Sequence, residues 1–155
     1  MSATVGTKAP SFTLPNQDNQ PVTVEPSGKN VVLAFFPAAF TSVCQKELCY
    51  FRDNLASLND ANATVYGISV DHPASLREFR QQNGFNFDLL SDFNREVIQL
   101  YDVMAPELRG FKNISKRAVF VIDGEGTIRH REVTPNPGVE PDYAKVHETL
   151  AALKG

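Results

Sequence analysis

The chain has 155 residues, with 42% apolar and 21% charged residues, a globular composition and the length of one ordinary domain, 1–155. Its net charge of −3 gives no electrostatic case for nucleic acid or an anionic membrane as partner. No apolar run approaches the ~18 residues of a spanning helix, and MSATVGTKAPSFTLP lacks the apolar core of a secretory signal, so a cytoplasmic location is expected.

Phe12 and Leu14 alternate with polar residues, as do Val22 and Val24, and Asn16 to Gln20 supply a turn, which predicts an N-terminal hairpin. Val31 to Phe36 (VVLAFF) is a continuous apolar run, the pattern of a strand buried on both faces, and Pro37 ends it. Cys44, Leu48, Phe51, Leu55 and Leu58 then recur at steps of four and three, which predicts one helix with all five on one stripe. Thr41 and Ser42 are its candidate N-caps, with Gln45 as a capping-box partner of Ser42. Thr64 to Val70 reads as a strand. Asp71 is a candidate cap for a helix with Pro73 in its first turn, Leu76 and Phe79 as apolar contacts and Gly84 as its stop. Phe87 to Leu90 reads as a short strand, and Ser91 or Asp92 caps a short helix over Glu96 to Tyr101.

Met104 to Ser115 shows no sustained period and reads as a loose stretch. Ala118 to Ile122 and Thr127 to Val133 read as a hairpin about Asp123 to Gly126. A linker with Pro135, Pro137 and Pro141 precedes a last helix, Asp142 to Leu153, with Val146, Leu150 and Leu153 inward. The alternation of strands and helices predicts an α/β sandwich, a sheet covered by helices with hairpins at its edges.

Two cysteines are too few for a disulfide-stapled scaffold. Cys44 stands in the first turn of its helix, near unpaired backbone N–H groups and the positive end of the macrodipole, which favour a thiolate. An ordinary thiol of pKa ≈ 8.5 is already ~7% ionised at pH 7.4, so ionisation gains at most about an order of magnitude. Faster chemistry needs donors for the atom being displaced. Cys44 reads either as such an activated thiol or as a small core residue on the apolar stripe. Cys49 reads either as its redox partner or as an inert, partly buried thiol. In an intact helix their Cα atoms stand ~8.6 Å apart, whereas a disulfide needs about 4.4–6.8 Å. A Cys44–Cys49 bond therefore requires the first turns to unwind. His72, His130 and His147 are scattered without metal-ligand spacing, so no metal is expected.

The segment FFPAAFTSVCQKELCYFRD resembles the active-site region of the peroxiredoxins, with their Pro-x-x-x-Thr/Ser-x-x-Cys signature. GTKAPSFTLPNQDNQPVTV, LLSDFNREVIQLYDV and KRAVFVIDGEGTIRH are similar to other blocks of that family, so the resemblance spans nearly the whole chain. It implies a thioredoxin-like fold: a central mixed β-sheet flanked by helices, with an N-terminal hairpin. By resemblance, Cys44 is the peroxidatic cysteine, which attacks the O–O bond and becomes a sulfenic acid. Thr41 positions thiolate and peroxide, Pro37 shields the sulfur, Arg117 donates to both, and Glu47 orients the arginine. Singly, each has a plainer reading: an N-cap, a strand terminator, an edge cation and a solvated helix charge.

The segment FPAAFTSVCQKEL is similar to the one-cysteine AhpE peroxiredoxins, whereas C-x4-C within one helix is the pattern of the bacterioferritin-comigratory or Q-type members, in which the second cysteine, here Cys49, resolves the sulfenic acid. The resemblance implies hydrogen peroxide and organic hydroperoxides as substrates, no cofactor, a thioredoxin-, glutaredoxin- or mycoredoxin-like reductant, and a homodimer or monomer. Two other readings stand beside it. One is a thioredoxin-like disulfide reductase, against which C-x4-C is the wrong spacing. The other is a redox sensor or holdase that exposes Leu48 and Phe51 when its helix unwinds.

Overall fold

Residues 31–35 are buried without interruption, and they form most of the central strand β3 (Asn30–Phe35) of a five-stranded sheet. The computed structural model describes residues 3–136 and 138–154, and the side chains of all of these except Cys44 and Lys154. Pro137 of the predicted linker lies outside the described residues. The sheet runs β5 (Asp88–Ser91), β4 (Ala63–Ser69), β3, β8 (Ala118–Ile122), β9 (Ile128–Val133). It is mixed: β3–β4 and β4–β5 are parallel, β3–β8 and β8–β9 antiparallel.

Each parallel pair needs a crossover, and helices supply both. α1 (Ser42–Asp53) and α2 (Leu55–Asp60) connect β3 to β4, and α3 (Pro73–Asn83) connects β4 to β5. Because side chains alternate along a strand, β3 divides two cores. Val32, Ala34 and Phe36 pack with Leu48, Phe51 and Leu58, with Phe79 of α3, and with Val146 and Leu150 of α5 (Tyr143–Lys154). Val31, Leu33 and Phe35 pack on the other face with Phe12, Leu14 and Val24 of the hairpin β1 (Phe12–Pro15) and β2 (Pro21–Val24), and with Val97, Ile98 and Tyr101 around α4 (Val97–Leu100). The expected α/β sandwich, with a mixed sheet between helices and an N-terminal hairpin, is the fold observed.

Four local expectations are corrected. The predicted single helix is two, because Asn54 (φ −111°, ψ 11°) leaves the helical region while its backbone N–H and its side-chain amide both donate to the Tyr50 carbonyl. Leu48, Phe51 and Leu58 are still fully buried and Leu55 packs against them, so the stripe survives the break. The cap of α3 is His72, whose Nδ1 accepts from Ala74 N–H at 3.1 Å, and Asp71 is engaged elsewhere. The capping box does not form: Thr41 holds the N-cap position without a side-chain cap bond, and Gln45 donates to Asn83 on α3. Finally, 104–115 is not a loose stretch but a hairpin of β6 (Met104–Leu108) and β7 (Phe111–Ser115). Its two-residue turn, Arg109-Gly110, has positive φ at both positions, 52° and 86°, the geometry that suits a tight hairpin.

Candidate active site

Phe35 at the end of β3 pairs with Ala118 at the start of β8. Arg117, one residue before Ala118, therefore lies beside the chain where it leaves the sheet at Phe36 and Pro37. From there a short loop climbs to α1. Within it the Thr41 hydroxyl donates to the Ala38 carbonyl at 2.9 Å, and Ala39 N–H donates to the Asp71 carboxylate at 2.8 Å. Phe40 stands at φ 65°, in the left-handed region, and the Thr41 carbonyl accepts the first helical bond from Gln45 N–H. Cys44 is the third residue of α1, with its backbone in the first turn as expected; its side chain lies outside what the structure describes.

Arg117 is 2% exposed and Glu47 is fully buried, and Nη1 of the arginine donates to Oε1 of the carboxylate at 2.8 Å. Neither is a solvated charge, so the plainer readings of these two positions fall. Oε2 of Glu47 has no hydrogen-bond partner among the described residues. Burial pushes the Glu47 carboxyl up to about 8, against the pull of the Arg117 charge and hydrogen bond. The Arg117 carbonyl accepts from Thr134 N–H at 3.0 Å, which ties its backbone to the end of β9.

Pro37, Thr41 and Arg117 line one open pocket of about 170 Å³, with Val43, Leu108 and Phe111 among the other walls. Glu47 stands behind Arg117, outside the lining. Cys49 is not at the pocket: it lies further along the same unbroken helix α1, half-buried against the core. A larger concavity of about 440 Å³ opens between the β1–β2 turn and the start of α3, lined by Asp18, His72 and Phe93 among others, and touches none of the predicted site residues.

Sequence reasoning missed two contributors. Asp71 looks like a helix cap but binds the loop before α1, and the Leu108 to Phe111 turn forms a wall of the pocket although its stretch carries no period. The glycine at 110, between two residue runs of equal length, is the signal that could have found the second. For Asp71 no signal exists in the sequence, because its partner is a backbone N–H thirty-two residues away.

No helix among the described residues is long and apolar enough to cross a membrane. Residues 5–131 match the AhpC/TSA family. The chain is 40% identical over 153 residues to alkyl hydroperoxide reductase E of Mycobacterium tuberculosis, covering 96% of this chain and 97% of that protein. It is 36% identical over 132 residues to peroxiredoxin Bcp of Escherichia coli, covering 81% and 82%. Among solved structures, peroxidoxin BcpB from Mycobacterium tuberculosis superposes with a TM-score of 0.86 at 31% identity, covering 97% of this chain and 98% of that one. With the signature, the fold and these likenesses in agreement, the chain belongs to the AhpC/TSA family and is a peroxiredoxin, a thiol-dependent peroxidase.

Proposed function

We propose that this chain, acting as one domain over 1–155 in the cytoplasm, reduces hydrogen peroxide and organic hydroperoxides through Cys44. The Cys44 thiolate attacks the terminal peroxide oxygen, the O–O bond breaks, and the leaving alkoxide or hydroxide takes a proton to depart as alcohol or water. Cys44 is left as a sulfenic acid. The observation that carries this reading is the convergence of Pro37, Thr41 and Arg117 on one small pocket at the first turn of α1, although Thr41 and Arg117 stand 76 positions apart in the chain. Attack of a thiolate on a peroxide spreads negative charge toward the leaving oxygen. A buried guanidinium and the free N–H groups of a helix start are the donors that stabilise such charge with little reorganisation, while the Thr41 hydroxyl, its proton given to Ala38, offers a lone pair to the peroxide O–H. The apolar walls from Val43, Leu108 and Phe111 suit an alkyl chain on the substrate.

In this reading Thr41 positions sulfur and peroxide, Pro37 shields the sulfur, and Arg117, held by Glu47, donates to the reacting atoms. Cys49 then attacks the Cys44 sulfenic acid, releasing water and forming an intramolecular disulfide. Both cysteines belong to the continuous α1, so their Cα atoms stand ~8.6 Å apart, beyond the reach of a disulfide. The step therefore runs through local unwinding of the helix. A thioredoxin-, glutaredoxin- or mycoredoxin-like dithiol protein restores both thiols.

The test is turnover of hydrogen peroxide and cumene hydroperoxide with dithiothreitol as reductant. Cys44→Ser is expected to abolish it with both substrates, and full turnover in that variant overturns the proposal.

A further inference from the structure

The loop that delivers the chain from β3 to α1 is held from outside by a carboxylate that plays no part in the chemistry proposed above. Asp71 Oδ2 accepts from Ala39 N–H at 2.8 Å. Asp71 is itself fixed from two directions. The Ser69 hydroxyl donates to the same Oδ2 at 2.6 Å, and the Ser91 hydroxyl donates to the Asp71 carbonyl at 2.6 Å. Ser69 and Ser91 end the parallel strands β4 and β5 and are 0% and 1% exposed. The acceptor aimed at Ala39 is thus built into the rigid end of the sheet.

What it holds is a costly conformation. Phe40, next in the chain, has φ 65°, which an aromatic L-residue rarely adopts. Such a residue persists only where its surroundings over-determine it. Two contacts flank it here: the Asp71 bond on its N-terminal side, and its own ring against Phe79 at 5.2 Å between centroids. Thr41 follows at once, and its hydroxyl is turned to Ala38 by the same tight turn. Were Phe40 to relax, Thr41 and the first turn of α1 would swing with it.

We propose that Asp71 is a positioning residue of the peroxidase site: by accepting from Ala39 N–H it keeps Phe40 in the left-handed conformation that places Thr41 and the start of α1 over the pocket. This rests on the assignment of Thr41 and Cys44 above. It asks for an acceptor at this place, not for a charge, so an asparagine whose amide oxygen occupies the Oδ2 position serves as well.

The experiment compares two reactions of the reduced protein at Cys44, each followed by peptide mass analysis at a pH where the wild-type thiol is fully ionised. One reagent is hydrogen peroxide, which depends on Thr41. The other is iodoacetamide, which needs only an accessible thiolate. Asp71→Ala is expected to slow the peroxide reaction at least about tenfold, since small misplacements at a site carry penalties of that order, and to change alkylation less than about threefold. Asp71→Asn is expected to stay within about threefold of wild type in both. Unchanged peroxide reactivity in Asp71→Ala, equal losses with both reagents, or a tenfold loss in Asp71→Asn overturns the proposal.

If Asp71→Ala does not fold, Ser69→Ala, which removes the hydroxyl that aims the carboxylate, carries the test. A loss of at least about threefold toward peroxide with unchanged alkylation supports the proposal, and unchanged peroxide reactivity overturns it. Cys44→Ser run in parallel separates the two levels. Peroxide reduction surviving in that variant sinks the site assignment, whereas its loss there alongside full reactivity of Asp71→Ala sinks only the role of Asp71.

Discussion

Arg117 and Glu47, seventy residues apart in the chain, meet in a 2.8 Å hydrogen bond from which solvent is almost wholly excluded. The guanidinium stays charged at any ordinary pH and carries donors for a reacting oxygen, whereas the carboxyl, pushed up by burial, serves to hold it. Glu47→Ala and Arg117→Ala each remove this buried hydrogen bond and are each expected to cost about 1–3 kcal/mol of stability. Arg117→Ala is expected to lose more peroxide reactivity than any other substitution outside Cys44. Urea unfolding midpoints and peroxide rate constants for the two variants check both expectations.

The same pair has a pH signature. The Glu47 carboxyl, ordinarily at 4.5, is raised to about 8 by burial. Between those values the native state holds a proton that the unfolded chain has released, so stability falls as pH rises through that window and is level above it. Glu47→Gln removes this contribution. The stability difference between wild type and Glu47→Gln is expected to move against wild type from pH 5 to pH 8.5, as measured by urea unfolding at the two values. A difference that stays constant contradicts the raised carboxyl.

The strands and the helix stripe were legible because burial repeats: VVLAFF is apolar on two faces since both faces of β3 are covered, and Leu48, Phe51 and Leu58 share one side. The site was legible only through family resemblance. Arg117 and Glu47 look like ordinary charges until the antiparallel pairing of β3 with β8 brings them together, which is a long-range fact. The β6–β7 hairpin escaped because it lies outside the main sheet, with most of its residues exposed or half-buried, so it carries no alternation. Asn54 escaped because its departure from helical φ and ψ breaks the helix without interrupting the apolar spacing on either side. Asp71 and His72 are adjacent residues that can both cap a helix, and only the reach of Ala39 N–H decides which one does.

If Cys49 resolves the sulfenic acid, the helix must loosen near Tyr50, whose ring stacks on Tyr143 of α5 with centroids 3.8 Å apart and whose hydroxyl lies 2.7 Å from His147 Nε2. A stacked aromatic pair contributes about 1 kcal/mol beyond its burial. Tyr143→Ala is therefore expected to speed disulfide formation about fivefold, without changing the first reaction with peroxide. Acid quenching and mass analysis of the two products separate the steps.

Gly110 at φ 86° turns the hairpin that walls the pocket, and an added Cβ meets nothing within 4 Å. Gly110→Ala thus introduces conformational strain without a clash, expected at about 1–2 kcal/mol. Because, among the described residues, β6 and β7 pair only with each other, that strain is expected to show as faster amide exchange within 104–115 and little change in the global unfolding midpoint. A large drop in the midpoint would show instead that the hairpin unfolds together with the central sheet.

The central claim, that Cys44 and Cys49 act in sequence as peroxide-reactive and resolving thiols, is most directly tested by rapid mixing of the reduced protein with one equivalent of hydrogen peroxide, followed by mass analysis. The expected result is loss of both thiols far faster than free cysteine reacts, with a product lighter by two hydrogens and a Cys44–Cys49 disulfide. In Cys49→Ser the product instead gains one oxygen at Cys44. Thiol loss no faster than that of free cysteine, or fast oxidation that leaves Cys49 reduced in the wild-type protein, would contradict it.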